Sequence, residues 1–166
     1  MYRTAFCFLP HYLCAMYSKQ EASLIRKDFW TSLGLYMRPL RGADGEPVNW
    51  LNYKTGIKHI YFRMDANNKM ASIAIELSHP DNELRQHYFE QLQLLRSILI
   101  QETGEDWEWE PDSYDEDGKL FSRIGTRMPG INIFNKADWP AIISFLKPRM
   151  VALDAFWYQV KDIVES

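Results

Sequence analysis

Residues 48–78, VNWLNYKTGIKHIYFRMDANNKMASIAIELS, decide the fold. From Ile57 to Met64 the side chains alternate. Ile60, Phe62 and Met64 point one way, and His59, Tyr61 and Arg63 point the other. From Met70 to Ser78 the alternation recurs, with Ile73, Ile75 and Leu77 opposite Ala74, Glu76 and Ser78. Ala66-Asn67-Asn68-Lys69 lies between them as a loop. Matching the apolar faces fixes the register parity, because a one-residue slip turns every side chain over. A four-residue loop pairs Ile60 with Ile75, Phe62 with Ile73 and His59 with Glu76. Upstream, Val48 to Tyr53 reads as another strand, closed by the turn Lys54-Thr55-Gly56.

Helical periodicity brackets this region. Before it, Ala22, Ile25, Phe29, Leu33 and Tyr36 make one stripe over roughly 19–37, and Pro39 ends it. Ser18 and Glu21 have the spacing of a capping box. After it, Leu84, Tyr88, Leu92, Leu95 and Leu99 predict a helix over 81–102, with Gly104 beyond its end. Strands follow at 107–110, 120–128 and 131–134. A last helix from about Asp138 carries Ile142, Leu146, Met150, Leu153, Trp157, Val160 and Val164 on one face, with Pro148 expected to kink it. The order is helix, three strands, helix, three strands, helix. Neighbouring strands joined by short turns imply an α+β fold, with an antiparallel sheet of five to six strands and three main helices on one face.

Composition narrows the class of protein. The chain has 166 residues, 46% hydrophobic and 25% charged, with a formal charge of −3. That is globular, and it carries no global field for capturing nucleic acid, which leaves direct nucleic-acid binding open only through a local basic patch. No run of about 18 apolar residues exists to span a membrane, and the cytoplasm is the default location. The two cysteines, Cys7 and Cys14, leave the rest of the chain without a thiolate metal site or disulfide framework.

Residues 1–15, MYRTAFCFLPHYLCA, lack either periodicity and hold one charge, Arg3. The favoured reading starts a single domain at Met16, spanning 16–166, and treats 1–15 as an extension outside the true product. A secretory signal is disfavoured by Pro10 and by a poor cleavage site at Leu13-Cys14-Ala15. An arm packed on the domain or on a partner is the remaining alternative.

A restriction-type nuclease needs one acid, then a second acid with a lysine two residues after it, to hold Mg²⁺ and polarise the phosphate. Asp65 and Glu76 supply the acids, but Ser78 stands where the lysine belongs. The acid-rich stretch 102–117 holds nine carboxylates and no base. It fails as a calcium loop, since Ser113 and Ile124 fill the first and last ligand positions, and it reads as a solvated hairpin turn. His11, His59, His79 and His87 have no zinc spacing. No cofactor or metal is expected. What is left is a polar sheet face of His59, Tyr61, Arg63 and Glu76, joined on the same alternation by Arg123 and Arg127. Arginine forks and a tyrosine ring suit recognition, and cross-strand ion pairing explains the same pattern without a ligand. Trp107 and Trp109 share a strand face and read as core or interface packing.

The stretches MYSKQEASLIRKDFW, NWLNYKTGIKHIYFRMDANNKMASIAIEL and FNKADWPAIISFLKPRMVALDAFW together resemble one family, the bacterial and archaeal domain-of-unknown-function family 4268, over about 16–160. The family it resembles has no established activity, so the resemblance names the domain without naming a job. Longer members carry a restriction-endonuclease-like module before this domain. That context implies a link to nucleic-acid processing or defence, and with every catalytic pattern incomplete the favoured reading is a non-catalytic interaction module with a protein partner or a nuclease-associated complex. The alternatives are a metal-dependent hydrolase or nuclease with a degenerate site built on Asp65 and Glu76, and a structural homo-oligomer.

Overall fold

The computed structural model describes residues 17–166. The expected boundary at Met16 and the readings of 1–15 lie outside them. Strand β1 (Ile60–Ala66) and strand β2 (Met70–Leu77) form the hairpin that the alternation predicts. The faces are as expected, and the register differs by two residues. Ile60 pairs with Leu77, Tyr61 with Glu76 and Phe62 with Ile75. The loop is tighter than the four residues anticipated. Asn67 closes on Met70 by a backbone hydrogen bond, and its side-chain oxygen accepts from the N–H groups of Lys69 and Met70. A shift of two preserves parity, so every side chain keeps its face.

Among the described residues the sheet has four strands, all antiparallel, in the order β1-β2-β4-β3, with β3 at Glu108–Tyr114 and β4 at Leu120–Pro129. Two of the expected strands are absent among the described residues. Residues 50–52 form a short 3-10 turn, because Asn49 caps it by accepting from the Asn52 N–H. Residues 131–134 spend their backbone groups elsewhere. The Ile133 N–H donates to Asn67 O, the Ile133 carbonyl accepts from Trp139 Nε1 at 2.6 Å, and the Asn132 N–H donates to Asp138.

Helix α1 (Lys19–Met37) opens on the predicted box, with Ser18 and Glu21 each accepting from the other's N–H. Its buried side is Phe29, Leu33 and Met37, and Tyr36 faces solvent. The expected second helix is two, α2 (Asn82–Leu94) and α3 (Arg96–Thr103), broken at Leu95. Its phase also differs: Leu84 is exposed and Arg85 is buried with Phe89 and Leu92. Helix α4 (Trp139–Glu165) passes through Pro148, which lies on its exposed side. The core is continuous, with Ile73, Ile75 and Ile124 of the sheet meeting Phe29, Leu99, Leu146 and Phe156 of the helices. No helix among the described residues is long and apolar enough to cross a membrane.

Two buried polar groups tie irregular segments to this frame. Asp154 of α4 is 8% exposed. It accepts from the Ala43 N–H at 2.7 Å and from the Tyr53 hydroxyl at 2.6 Å, pinning the loop 41–53 to the helix. Burial, reinforced by the hydrogen bond to Asp154, pushes the Tyr53 phenol well above its usual range. Arg85 is 1% exposed and sits under the bulge between Glu110 and Ser113. Its guanidinium donates to Pro111 O, Ser122 Oγ, Asn82 Oδ1 and Asp112 Oδ1.

Candidate functional site

The helices pack on the apolar side of the sheet, and the opposite side carries the predicted polar residues in rows. One row crosses all four strands as Tyr61, Glu76, Arg123 and Glu110. The next runs Arg63, Ala74, Gly125 and Glu108. A third joins Asp65, Ser72 and Arg127. The small pair at the centre shapes the surface. A side chain at position 125 would meet Ala74 Cβ at 2.6 Å and Arg123 Nη2 at 2.8 Å. Gly125 thus makes room for the Arg123 side chain to lie across it, and Arg123 is only 7% exposed.

The charges on this face answer one another. Arg123 pairs with Glu110 at 3.3 Å, and Arg127 pairs with both Glu110, at 3.1 Å, and Glu108. Arg63 meets Glu76 at 3.5 Å and lies over the Tyr61 ring, 4.5 Å from its centroid. Burial raises the Glu76 carboxyl above the usual range, and Arg63 and Arg123 oppose that rise. Burial, with Arg127 close by, lowers Arg123.

Five of the six predicted residues therefore share one face: Tyr61, Arg63, Glu76, Arg123 and Arg127. His59 does not join them. It precedes β1 with φ at 66°, and its ring packs edge-on against His79 at 4.6 Å. His79 accepts from the Asp81 N–H at the entry to α2, where Asp81 is the cap. Asp65 lies opposite Ser72, so its Cα is about 13 Å along the strands from that of Glu76. Among the described residues no three His, Cys, Asp or Glu side chains gather closely enough to hold a metal ion.

The acid-rich stretch is only partly the solvated turn expected of it. Residues 115–117 do form an exposed turn, closed by Asp115 accepting from the Asp117 and Lys119 N–H groups. Of the acids before it, Glu102 accepts from Gln159 and the other five serve arginines. Glu105 holds Arg149 at 2.5 Å, Asp106 holds Arg96, Glu108 and Glu110 hold Arg127, and Asp112 holds Arg85. Sequence reasoning missed Arg85 and Asp154 altogether. The one local signal for either is a charge inside an apolar helical stripe, as at Leu153-Asp154 and at Arg85 four before Phe89.

A family model described as a domain of unknown function, DUF4268, matches residues 25–161. The chain belongs to the DUF4268 family. No curated protein and no solved structure matches it. In this DUF4268 chain the matched span contains the whole sheet, so every residue of the polar face falls inside it.

Proposed function

We propose that this chain is a non-catalytic interaction module, serving a nucleic-acid-processing or defence system, that docks a protein partner on the polar face of its sheet. The link to such systems rests on the family resemblance. The docking face rests on one observation, the state of Arg63. Its side chain is 57% exposed and has a single carboxylate partner at 3.5 Å, while Arg123 and Arg127 are closed by shorter ion pairs. A bidentate fork held over Tyr61 with donors to spare is pre-arranged for a partner's carboxylate. The charges counted on the face are Arg63, Arg123 and Arg127 against Asp65, Glu76, Glu108 and Glu110. That balance favours a protein surface of mixed charge over a polyphosphate.

The test is quantitative recovery of partner proteins from the native host with wild-type and Arg63→Ala protein as bait. Losing one charge-assisted contact costs about 1.5–3 kcal/mol, so the variant is expected to bind roughly ten- to a hundredfold more weakly. Equal recovery of the same partner by both baits would refute docking through Arg63.

A further inference from the structure

Among the described residues the outer edge of β1 is open over a short stretch. The Ser78 N–H donates to His59 O, and the Asn67 N–H donates to Met70 O. Odd-numbered residues of β1 therefore turn their backbone groups to β2, and even-numbered ones turn theirs outward. At one end the Thr55 hydroxyl takes the Ile60 carbonyl at 2.8 Å. At the other, Ala66 is fully buried. Between them, the N–H and C=O groups of Phe62 and Met64 have no hydrogen-bond partner among the described residues.

Two recesses flank this stretch. One, of about 350 Å³, lies between the 51–58 loop and residues 60–63. The other, of about 310 Å³, is lined by Trp30, Leu51, Phe62, Arg63 and Met64. Leu51 is shared by both and is 42% exposed. The linings have one sign of charge. Lys54, Lys58 and Arg63 contribute, and no carboxylate does. Lys54 and Lys58 have no ion-pair partner among the described residues. The asymmetry extends to the sequence around them: residues 17–63 hold eight Lys or Arg and four Asp or Glu.

The geometry points to a specific occupant: an acidic, extended segment of a protein partner, added as a short strand along Phe62–Met64. Its backbone pairs with the open edge, its apolar side chains enter the recess beside Trp30 and Leu51, and its carboxylates meet Lys54, Lys58 and Arg63. Unpaired backbone groups select a peptide, since a nucleic acid has no strand to add. Tyr61 and Arg63 lie where this edge meets the polar face, so the segment continues the surface described above. The inference rests on the interaction reading and gives its partner a chemistry.

The test uses the purified chain and a fluorescein-labelled heptapeptide alternating Glu and Val, followed by fluorescence anisotropy. The expected result is saturable binding that weakens with salt, while the matching Lys and Val peptide does not bind. A Lys54→Glu, Lys58→Glu double variant is expected to lose at least about tenfold in affinity with its melting temperature unchanged. Met64→Pro removes an outward donor that β2 does not use, and is expected to abolish binding while the sheet persists. If Met64→Pro fails to fold, the double lysine variant decides alone. No binding of the Glu peptide, equal binding of the Lys peptide, binding indifferent to the lysine changes, or tighter binding of a single-stranded oligonucleotide would each overturn the inference. None of these touches the Arg63→Ala recovery experiment, so the two readings fail separately.

Discussion

Arg85 and Arg63 sit on opposite sides of one sheet and are held in opposite ways. Arg85 lies beneath it, 1% exposed, with four acceptors from α2, β3 and β4 around one guanidinium. Arg63 lies on the other side, more than half exposed, with one carboxylate at 3.5 Å and a tyrosine ring as its support. Residue type alone does not separate a fold-holding arginine from a recognition arginine. The count of satisfied donors, weighed against burial, does.

Breaking the buried member is expected to have the largest effect. Arg85→Met leaves Asp112 without its partner and takes one donor each from Ser122 Oγ and Pro111 O, which keep only the hydrogen bond between them. The loss is expected to be about 3 kcal/mol, read as a lowered midpoint in urea unfolding. Asp154→Ala comes next on the same side. It frees the Ala43 N–H and the Tyr53 hydroxyl, and a cost of about 2 kcal/mol is expected by the same measurement. An unchanged midpoint in either case would mean that the buried groups find water or other partners.

How far these groups were legible follows from how local their partners are. The faces of β1 and β2 could be read because a strand repeats every two residues, and an error of two in the register left them intact. The phase of α2 could not, because Leu84 and Arg85 are equally good helical residues and the choice between them is made by Pro111, Asp112 and Ser122, far along the chain. The acids of 105–112 looked like a solvated turn for the same reason: their arginines, at 85, 96, 123, 127 and 149, are assembled only by the fold. The alternation that places His59 on the polar face runs one residue too far, past the point where the backbone turns to positive φ.

On the polar side the expected effects on folding are smaller and depend on pH. The Glu76 carboxyl is raised in the folded state, chiefly by burial, so the folded chain holds its proton over a pH range where the unfolded chain has released it. Its contribution to stability is therefore full below the ordinary glutamate range and falls as pH rises through the raised value. Glu76→Gln removes that slope. Urea midpoints measured across the window are expected to vary less with pH in the variant, and an identical pH profile would contradict the burial of Glu76.

Arg63→Ala is expected to have the smallest effect on folding, since an exposed ion pair is worth about 0–1 kcal/mol. The difference between the two sides can then be read without perturbing either. Tyr61 is exposed on the polar face beside Arg63, and Tyr158 is exposed on α4. A photoreactive p-azidophenylalanine placed at each position in turn, illuminated in native-host extract and resolved by mass spectrometry, reports which surface a partner covers. The account predicts a discrete protein adduct from position 61 that Arg63→Ala removes, and none from position 158. An adduct from position 158 alone, or one at position 61 that persists in Arg63→Ala, would contradict it.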